Sequence, residues 1–466
     1  MRAVLFKGIG DLIPLYALYA VLFADHGLSA GQISSLLAMW SATAFLLEVP
    51  SGAWADTVSR RGLLVMSGVL LTAGFTCWTV LPTYLGFAIG FVLWGTSGAL
   101  VSGTFEALLY DELVARNEQR AYPRIIGYAR AASEAAIVIA ILGATPLYIW
   151  GGYPLLGWCS VAFAAVHTLV GLSLPSAPKA VSASAVEDLE DSSETSRAAD
   201  GLTAVMRDPS ASGFAGQLDG DIAERPHAAH SSETGRVAID AAETGPFGTY
   251  LNMLRTGVGE AIRVRAVRNV VALGALLFGV TAFDEYFALL AQEVGVATAV
   301  VPVLVGITVV GSLVGSVSAG RTEGMSARAM AIAVGLGGVL FVGGAVVAGL
   351  AVRWPGAVYV LAGVGFTAIG ASYGIVYNAS VVAGARLQDA IEGPARATVT
   401  SVSGLAAEVV ALAVFGFAAI ATMWLSMSTT VALLGASLLA IALLIPFSLP
   451  SRIGAAAEYE AAVADE

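Results

Sequence analysis

The chain has 466 residues, 57 % of them hydrophobic and only 12 % charged, and its mean hydropathy is +0.80. Soluble proteins carry about a quarter of their residues charged, so a water-soluble globular fold is excluded and the chain reads as a membrane protein. Its net charge of −11 is confined to two segments: residues 176–250 hold 13 Asp and Glu against 5 Lys and Arg, residues 450–466 hold 4 against 1, and the remainder balances at 17 of each. No basic field is left to attract nucleic acid. Cys77 and Cys159 lie in apolar runs and read as small buried residues, making neither a disulfide framework nor a zinc cluster.

A membrane-crossing helix takes roughly 20 mostly apolar residues. Six such runs occupy residues 8–24, 32–55, 62–82, 84–109, 125–147 and 153–174, and six more occupy 268–291, 298–320, 329–352, 355–385, 397–422 and 426–448. The fourth and tenth are long enough to extend beyond the bilayer on the cytoplasmic side. Asp11 and Pro14 interrupt the first run and no small-residue cleavage site follows, so it is read as a retained helix, not a secretory signal. Glycines inside the runs, such as Gly335, Gly337, Gly338, Gly343 and Gly344 of the ninth, predict close helix contacts. Lys and Arg alternate by loop: Arg2 and Lys7, then Arg60 and Arg61, then Arg116, Arg120 and Arg124, and later Arg321, Arg328, Arg386 and Arg396, with Arg353 alone in the intervening loops. That asymmetry predicts cytoplasmic termini and a cytoplasmic central linker.

The expected organisation is thus a six-helix bundle over residues 1–175, a disordered acidic linker over 176–246, an amphipathic interfacial helix over 247–265, a second six-helix bundle over 266–449 and an acidic tail over 450–466. The linker is rich in Ser, Ala, Asp, Glu, Gly and Pro and has no helical or strand periodicity. Beyond it, Phe247, Tyr250, Leu251, Leu254, Val258 and Ile262 recur at three- and four-residue steps, and Arg265 and Arg268 are placed to touch anionic lipid. The two bundles match weakly. Ala24-Asp25-His26-Gly27 after the first run answers to Gln292-Glu293-Val294-Gly295 after the seventh, and Glu134 answers to Glu408. The fold class expected is an all-α membrane protein of twelve transmembrane helices in two pseudo-repeats about a central site.

The loop after the second run reads Gly52-Ala53-Trp54-Ala55-Asp56-Thr57-Val58-Ser59-Arg60-Arg61-Gly62. It resembles the signature Gly-x-x-x-Asp-Arg-x-Gly-Arg-Arg/Lys of the major facilitator superfamily, matching at Gly52, Asp56, Arg60 and Arg61 and departing at Thr57 and Ser59. The resemblance implies a secondary transporter working by alternating access, with this loop as a cytoplasmic gate. It assigns Asp56 the role of a latch, with the eleventh helix, starting near Arg396, as its partner. In the second half, Gly315 to Ser326 retains Arg321 and Gly324 but has no Asp at the corresponding place. Glu48-Val49-Pro50-Ser51-Gly52 and Ser102 to Asp111 are similar to segments of bacterial permeases of the superfamily and name no substrate. The fourth-helix Arg-x-x-x-Gly-x-Gly signature of drug:proton antiporters is absent, and the fifth-helix signature is barely suggested by Gly143 and Pro146.

Ionisable groups in hydrocarbon cost roughly 2.5–3.5 kcal/mol each and normally face a cavity or a partner. Asp11, Glu48, Glu106, Arg130, Glu134, Asp284, Glu285 and Glu408 lie within runs and are the candidates for proton coupling or substrate binding, while runs three, six, nine and twelve carry no charge. Glu48, eight residues from Asp56, lies about 12 Å deep, and Glu134 and Glu408 lie about 15–18 Å deep, near the midplane. Arg130 and Glu134 are four apart and share a face. A carboxylate beside an Arg stays ionised, whereas a desolvated one carries a proton, so Glu408, without a basic neighbour on its own face, is the expected proton carrier. The competing role for each acid is a structural bond to another helix. Asp284 and Glu285, about 100° apart on their helix, belong to the outer third. Tyr16, Tyr19, Trp40, Trp94, Tyr286, Tyr373, Tyr377 and Asn378 are candidates to line the same cavity, with helix packing as the alternative. Trp78, Trp150, Trp354 and Trp424 fall near the outer interface as anchors. His26, His167, His227 and His230 form no metal site.

No Ser/His/Asp set, phosphate-cradling loop or His-Glu-x-x-His motif is present, so no enzyme and no cofactor is expected. The reading is a monomeric plasma-membrane transporter whose partners are a small-molecule substrate, protons and membrane lipids. It exports a small organic compound against protons, the alternatives being a proton-coupled uptake symporter for a metabolite or a non-transporting sensor.

Overall fold

A computed structural model describes residues 1–176, 178–179, 265–389 and 395–449, with the side chains of Val49, Ala53, 265–267, 387–389 and 395–401 excepted. The predicted linker, interfacial helix and tail lie outside the described residues, apart from 176, 178, 179 and 265. Eleven described stretches are long and apolar enough to cross a membrane. One of them, Gln119–Leu172, is 54 residues long, over twice what a crossing requires. Gly152, with φ 61° and ψ −157°, breaks it in a conformation open to glycine, and Pro154 follows. It is therefore two crossings, and the described residues make twelve.

The first half contains α1 (Arg2–Gly10), α2 (Tyr19–Asp25), α3 (Ala30–Thr57), α4 (Arg60–Val80), α5 (Tyr84–Val101), α6 (Thr104–Ala115) and α7 (Tyr122–Leu172). The second contains α8 (Arg265–Gly279), α9 (Phe287–Glu293), α10 (Val301–Thr322), α11 (Ala327–Leu350), α12 (Val358–Asp389), α13 (Ala395–Ala421) and α14 (Met427–Ser448). Ser29, Ser59, Thr83, Ser326 and Ser426 cap α3, α4, α5, α11 and α14, each side-chain oxygen accepting a backbone amide three residues on. The fourth run continues past a break at Ser102 and Gly103 into α6, and the tenth forms the 32 residues of α12.

The halves repeat one design. Their first crossings are each interrupted by 3-10 helix, over Pro14–Ala17 and over Val280–Tyr286. Both crossings then end on a glycine at φ +88°, Gly27 and Gly295. The following amides close the same cap, Leu28 N donating to Phe23 O at 3.1 Å and Val296 N to Ala291 O at 3.2 Å. The acid before each cap reaches the start of its own half's last crossing. Tyr153 Oη donates to Asp25 Oδ2 at 2.6 Å, and the amides of Met427 and Ser428 donate to Glu293 at 2.5 and 2.9 Å. An anion at a helix N-terminus is favoured by its orphan amides and dipole.

Val317, Leu443 and Phe447 are highly exposed on the bundle's outside, as a lipid-facing surface requires. Aromatic side chains fill the interior of each half: Phe23, Phe75, Trp78, Phe87 and Phe91 in the first, Phe283, Phe287, Phe341 and Phe366 in the second. Trp78 corrects an expectation. It is 1 % exposed, its Nε1 donates to Phe87 O at 3.0 Å, and it stands edge-on to Phe23 and Phe91, so it is a core residue and no interfacial anchor. Trp150, Trp354 and Trp424 are exposed.

Candidate functional site

The predicted acids other than Glu106 occupy two regions of the bundle. Along the seam between the halves, Ser41 Oγ of α3 donates to Glu408 Oε2 of α13 at 2.6 Å. Glu408 also interacts electrostatically with Glu48, whose Oε1 accepts from Ser102 Oγ at 2.8 Å. Glu134, exposed on α7, is within electrostatic reach of Asp11 in the first crossing and of Tyr377 in α12. Asp11 accepts from Ser133 Oγ, one residue before Glu134. Arg130 is also exposed, one helical turn from Glu134.

Further from the termini, Tyr19 Oη donates to Glu285 Oε2 across the seam, and Tyr373 Oη donates to Asp284 Oδ2 at 2.5 Å. A cavity of about 130 Å³ lies here, walled by Tyr16 and Tyr19 of the first half and by Asp284, Glu285 and Tyr373 of the second. Asp284 and Glu285, adjacent in sequence on the 3-10 stretch Val280–Tyr286, both line it. Tyr377 meets Tyr373 edge-on at 4.8 Å. Tyr286 is buried against Ser34, whose Oγ lies 2.7 Å from its Oη. Asn378 joins α12 to α10, accepting from Thr322 Oγ1 at 2.9 Å and donating to Gly315 O and Ser318 Oγ. Those two residues line neither cavity described here.

A larger cavity, about 430 Å³, lies wholly within the first half and is lined by Lys7, Asp11, Tyr16, Trp94, Glu106 and His167 among others. Trp94 stacks on Tyr16 at 4.9 Å and on Trp40 at 5.0 Å, so one aromatic column joins α3, α5 and the first crossing. Tyr16 borders both cavities.

At the terminal end, buried Arg60 donates to Asp111 Oδ2 at 2.7 Å and to Asp56 Oδ1 at 3.1 Å, and Arg61 donates to Leu172 O. Lys179 Nζ donates to the Asp56 carbonyl at 2.7 Å. Gly52 has open space beside it. The side chains around Arg396, where the resemblance puts the partner of Asp56, lie outside the described residues. Sequence reasoning passed over Asp111, Asp25, Ser41, Lys7 and His167 as site residues. Asp111 stands in a segment already set apart by its likeness to permeases, and a charge there opposite Arg60 was the available signal. Ser41 carried none.

A sequence model of the Major Facilitator Superfamily matches residues 3–407. No curated protein matches the chain. Among solved structures, a mutant of the nucleoside transporter NupG is similar over 97 % of this chain and 98 % of its own, at 12 % identity and a TM-score of 0.58. A D-xylose-proton symporter is similar over 97 % of both chains, at 15 % identity and a TM-score of 0.54. Identities this low speak for the fold alone.

Proposed function

The chain belongs to the major facilitator superfamily, and from that membership we propose that it is a proton-coupled transporter of the plasma membrane that exports a small organic compound. The observation that carries the reading is the seam itself: carboxylates Glu408 and Glu285 of the second half accept hydroxyl hydrogen bonds from Ser41 and Tyr19 of the first. Gln292 Nε2 adds a bond to Asp25 Oδ1 at 2.5 Å, and Thr145 Oγ1 one to Ala299 O at 2.8 Å. These cross-half bonds lie at mid-depth or toward the end away from the termini. With the termini cytoplasmic, as the basic loops favour, the conformation is closed outside.

A hydrogen bond to an ionised carboxylate is roughly twice as strong as a neutral one. Deprotonated Glu408 and Glu285 therefore hold the seam shut, and a proton taken up at either carboxyl weakens its cross-half bond and lets the halves part. The cycle follows: solute bound from the cytoplasm opens the outer end, protons loading there keep the carboxyls from re-forming their cross-half bonds while the solute leaves, and once the halves have closed again proton release to the cytoplasm restores the anions that accept from Ser41 and Tyr19. Export is favoured over import because the mid-depth groups are mainly acids without a matching number of bases, which suits exchange of protons against a neutral or cationic solute.

The test is transport in proteoliposomes with an imposed pH gradient, screened over a panel of antibiotics, dyes and metabolites. Movement against the solute gradient that stops when the pH gradient is collapsed is the expected result. Movement unaltered by collapse rejects the coupling, and solute accumulating in the direction of proton flow makes the protein a symporter.

A further inference from the structure

The larger cavity does not lie between the two halves. It is enclosed by α1, α4, α5, α6 and the last crossing of the first half, and its charges are unequal: Asp11 and Glu106 against Lys7. Lys7 is already engaged, 3.8 Å from Glu106 Oε1 and 5.0 Å over the Phe105 ring. Among the described residues, buried Glu106 Oε2 meets no hydrogen-bond donor. His167, 4 % exposed, has its Nδ1 2.9 Å from the Phe6 carbonyl. A carbonyl only accepts, so Nδ1 bears the hydrogen, and in the neutral form of the ring Nε2 is then an acceptor. A buried acceptor without a donor is costly, so Glu106 Oε2, with His167 Nε2 as a second acceptor on the same cavity, calls for a ligand rich in N–H groups. Tyr16 and Trp94 supply an aromatic wall, and the volume falls in the range of small-molecule sites.

We propose that this cavity binds a small protonated amine with an aromatic body, its N–H groups donating to Glu106 Oε2 and His167 Nε2 and its ring lying against Tyr16 and Trp94. As a resting place for transported solute the site rests on the function proposed above; as a binding site it does not. Net acidity excludes a carboxylate ligand, and the need for N–H donors separates the amine from its quaternary analogue.

Calorimetry on the purified full chain in detergent, without any gradient, tests it with phenethylamine, its N,N,N-trimethyl analogue, 2-phenylethanol and 3-phenylpropionate as probes. Phenethylamine is expected to bind at least about tenfold more tightly than the other three, and Glu106→Gln to weaken it by about tenfold, or about 1.4 kcal/mol. Gly98 lines the cavity with open space beside it, so Gly98→Leu, which alters no charge, should abolish binding. In a chain with Cys77 and Cys159 replaced by Ser, Gly98→Cys provides a second measurement: phenethylamine should slow modification of the new thiol. No phenethylamine binding, equal binding of phenylpropionate, or thiol modification indifferent to the amine overturns the proposal. Should binding fail while gradient-driven transport persists, this inference falls alone. Binding without gradient-driven transport overturns the transport reading and leaves the amine site standing.

Discussion

Glu408 and Asp111 show what a single carboxylate does in this fold. Glu408 accepts from Ser41 on the opposite half, and Gln at that position keeps a carbonyl for the same bond while losing the ability to take up and release a proton. Glu408→Gln should therefore bring gradient-driven transport to background in proteoliposomes while leaving solute counterflow; full gradient-driven activity would remove Glu408 from the coupling role. Asp111 is paired with Arg60, each side chain 3 % exposed. Removing one partner of a buried ion pair strands the other charge, so Asp111→Asn should destabilise the first half by about 3 kcal/mol, read as a lowered unfolding midpoint in detergent. An unchanged midpoint would show that Asp56 alone compensates Arg60. The depth and spacing of Glu408 were legible along the chain. Its partner was not, because Ser41 lies 367 residues away and nothing local to either residue encodes the meeting.

At the scale of elements, helix ends and breaks were legible where their chemistry is local. Ser29 with Gln32 forms a capping box, and Gly27 and Gly295 adopt φ +88°, where a Cβ is strained. The matched segments around those glycines proved to be matched caps. The junction at Gly152 also stands where the hydropathy pattern put a loop. What could not be read was which glycines carry helix contacts. Beside Gly343, named among the expected contacts, there is open space, whereas Gly311 and Gly315 of α10 approach Gly370 and Gly374 of α12 backbone to backbone. A Cβ on Gly374 would stand 2.6 Å from Gly311 O, so Gly374→Leu should force α10 and α12 apart at a cost of about 1–3 kcal/mol. Thermal unfolding compared with Gly343→Leu, which meets nothing, checks it; equal midpoints would deny the close packing a role in stability.

At the scale of the whole molecule, the halves meet through hydrogen bonds at mid-depth and at one end, a two-state seam of the kind that rocking transporters use. The Asp25–Gln292 bond crosses that seam and must break if the far end opens. In a chain with Cys77 and Cys159 replaced, Asp25→Cys with Gln292→Cys, joined by a short cleavable bis-thiol reagent, should stop transport, and cleavage should restore it. Transport continuing in the joined protein would mean that this end never opens. The six-plus-six arrangement was visible in advance, since each crossing declares itself by roughly twenty apolar residues whatever its neighbours do.

Hydropathy, capping residues and the loop from Gly52 to Gly62 were enough by themselves to set the class, the twelve crossings, the internal repeat and the superfamily, because each depends on interactions within a few residues of chain. The rotation of every helix about its axis is decided by packing against helices distant in sequence. So only the tertiary structure could bury Trp78, join Arg60 to Asp111, bring both Asp284 and Glu285 to one small cavity, and set the larger cavity inside the first half, where Glu106 presents a buried acceptor that meets no donor among the described residues.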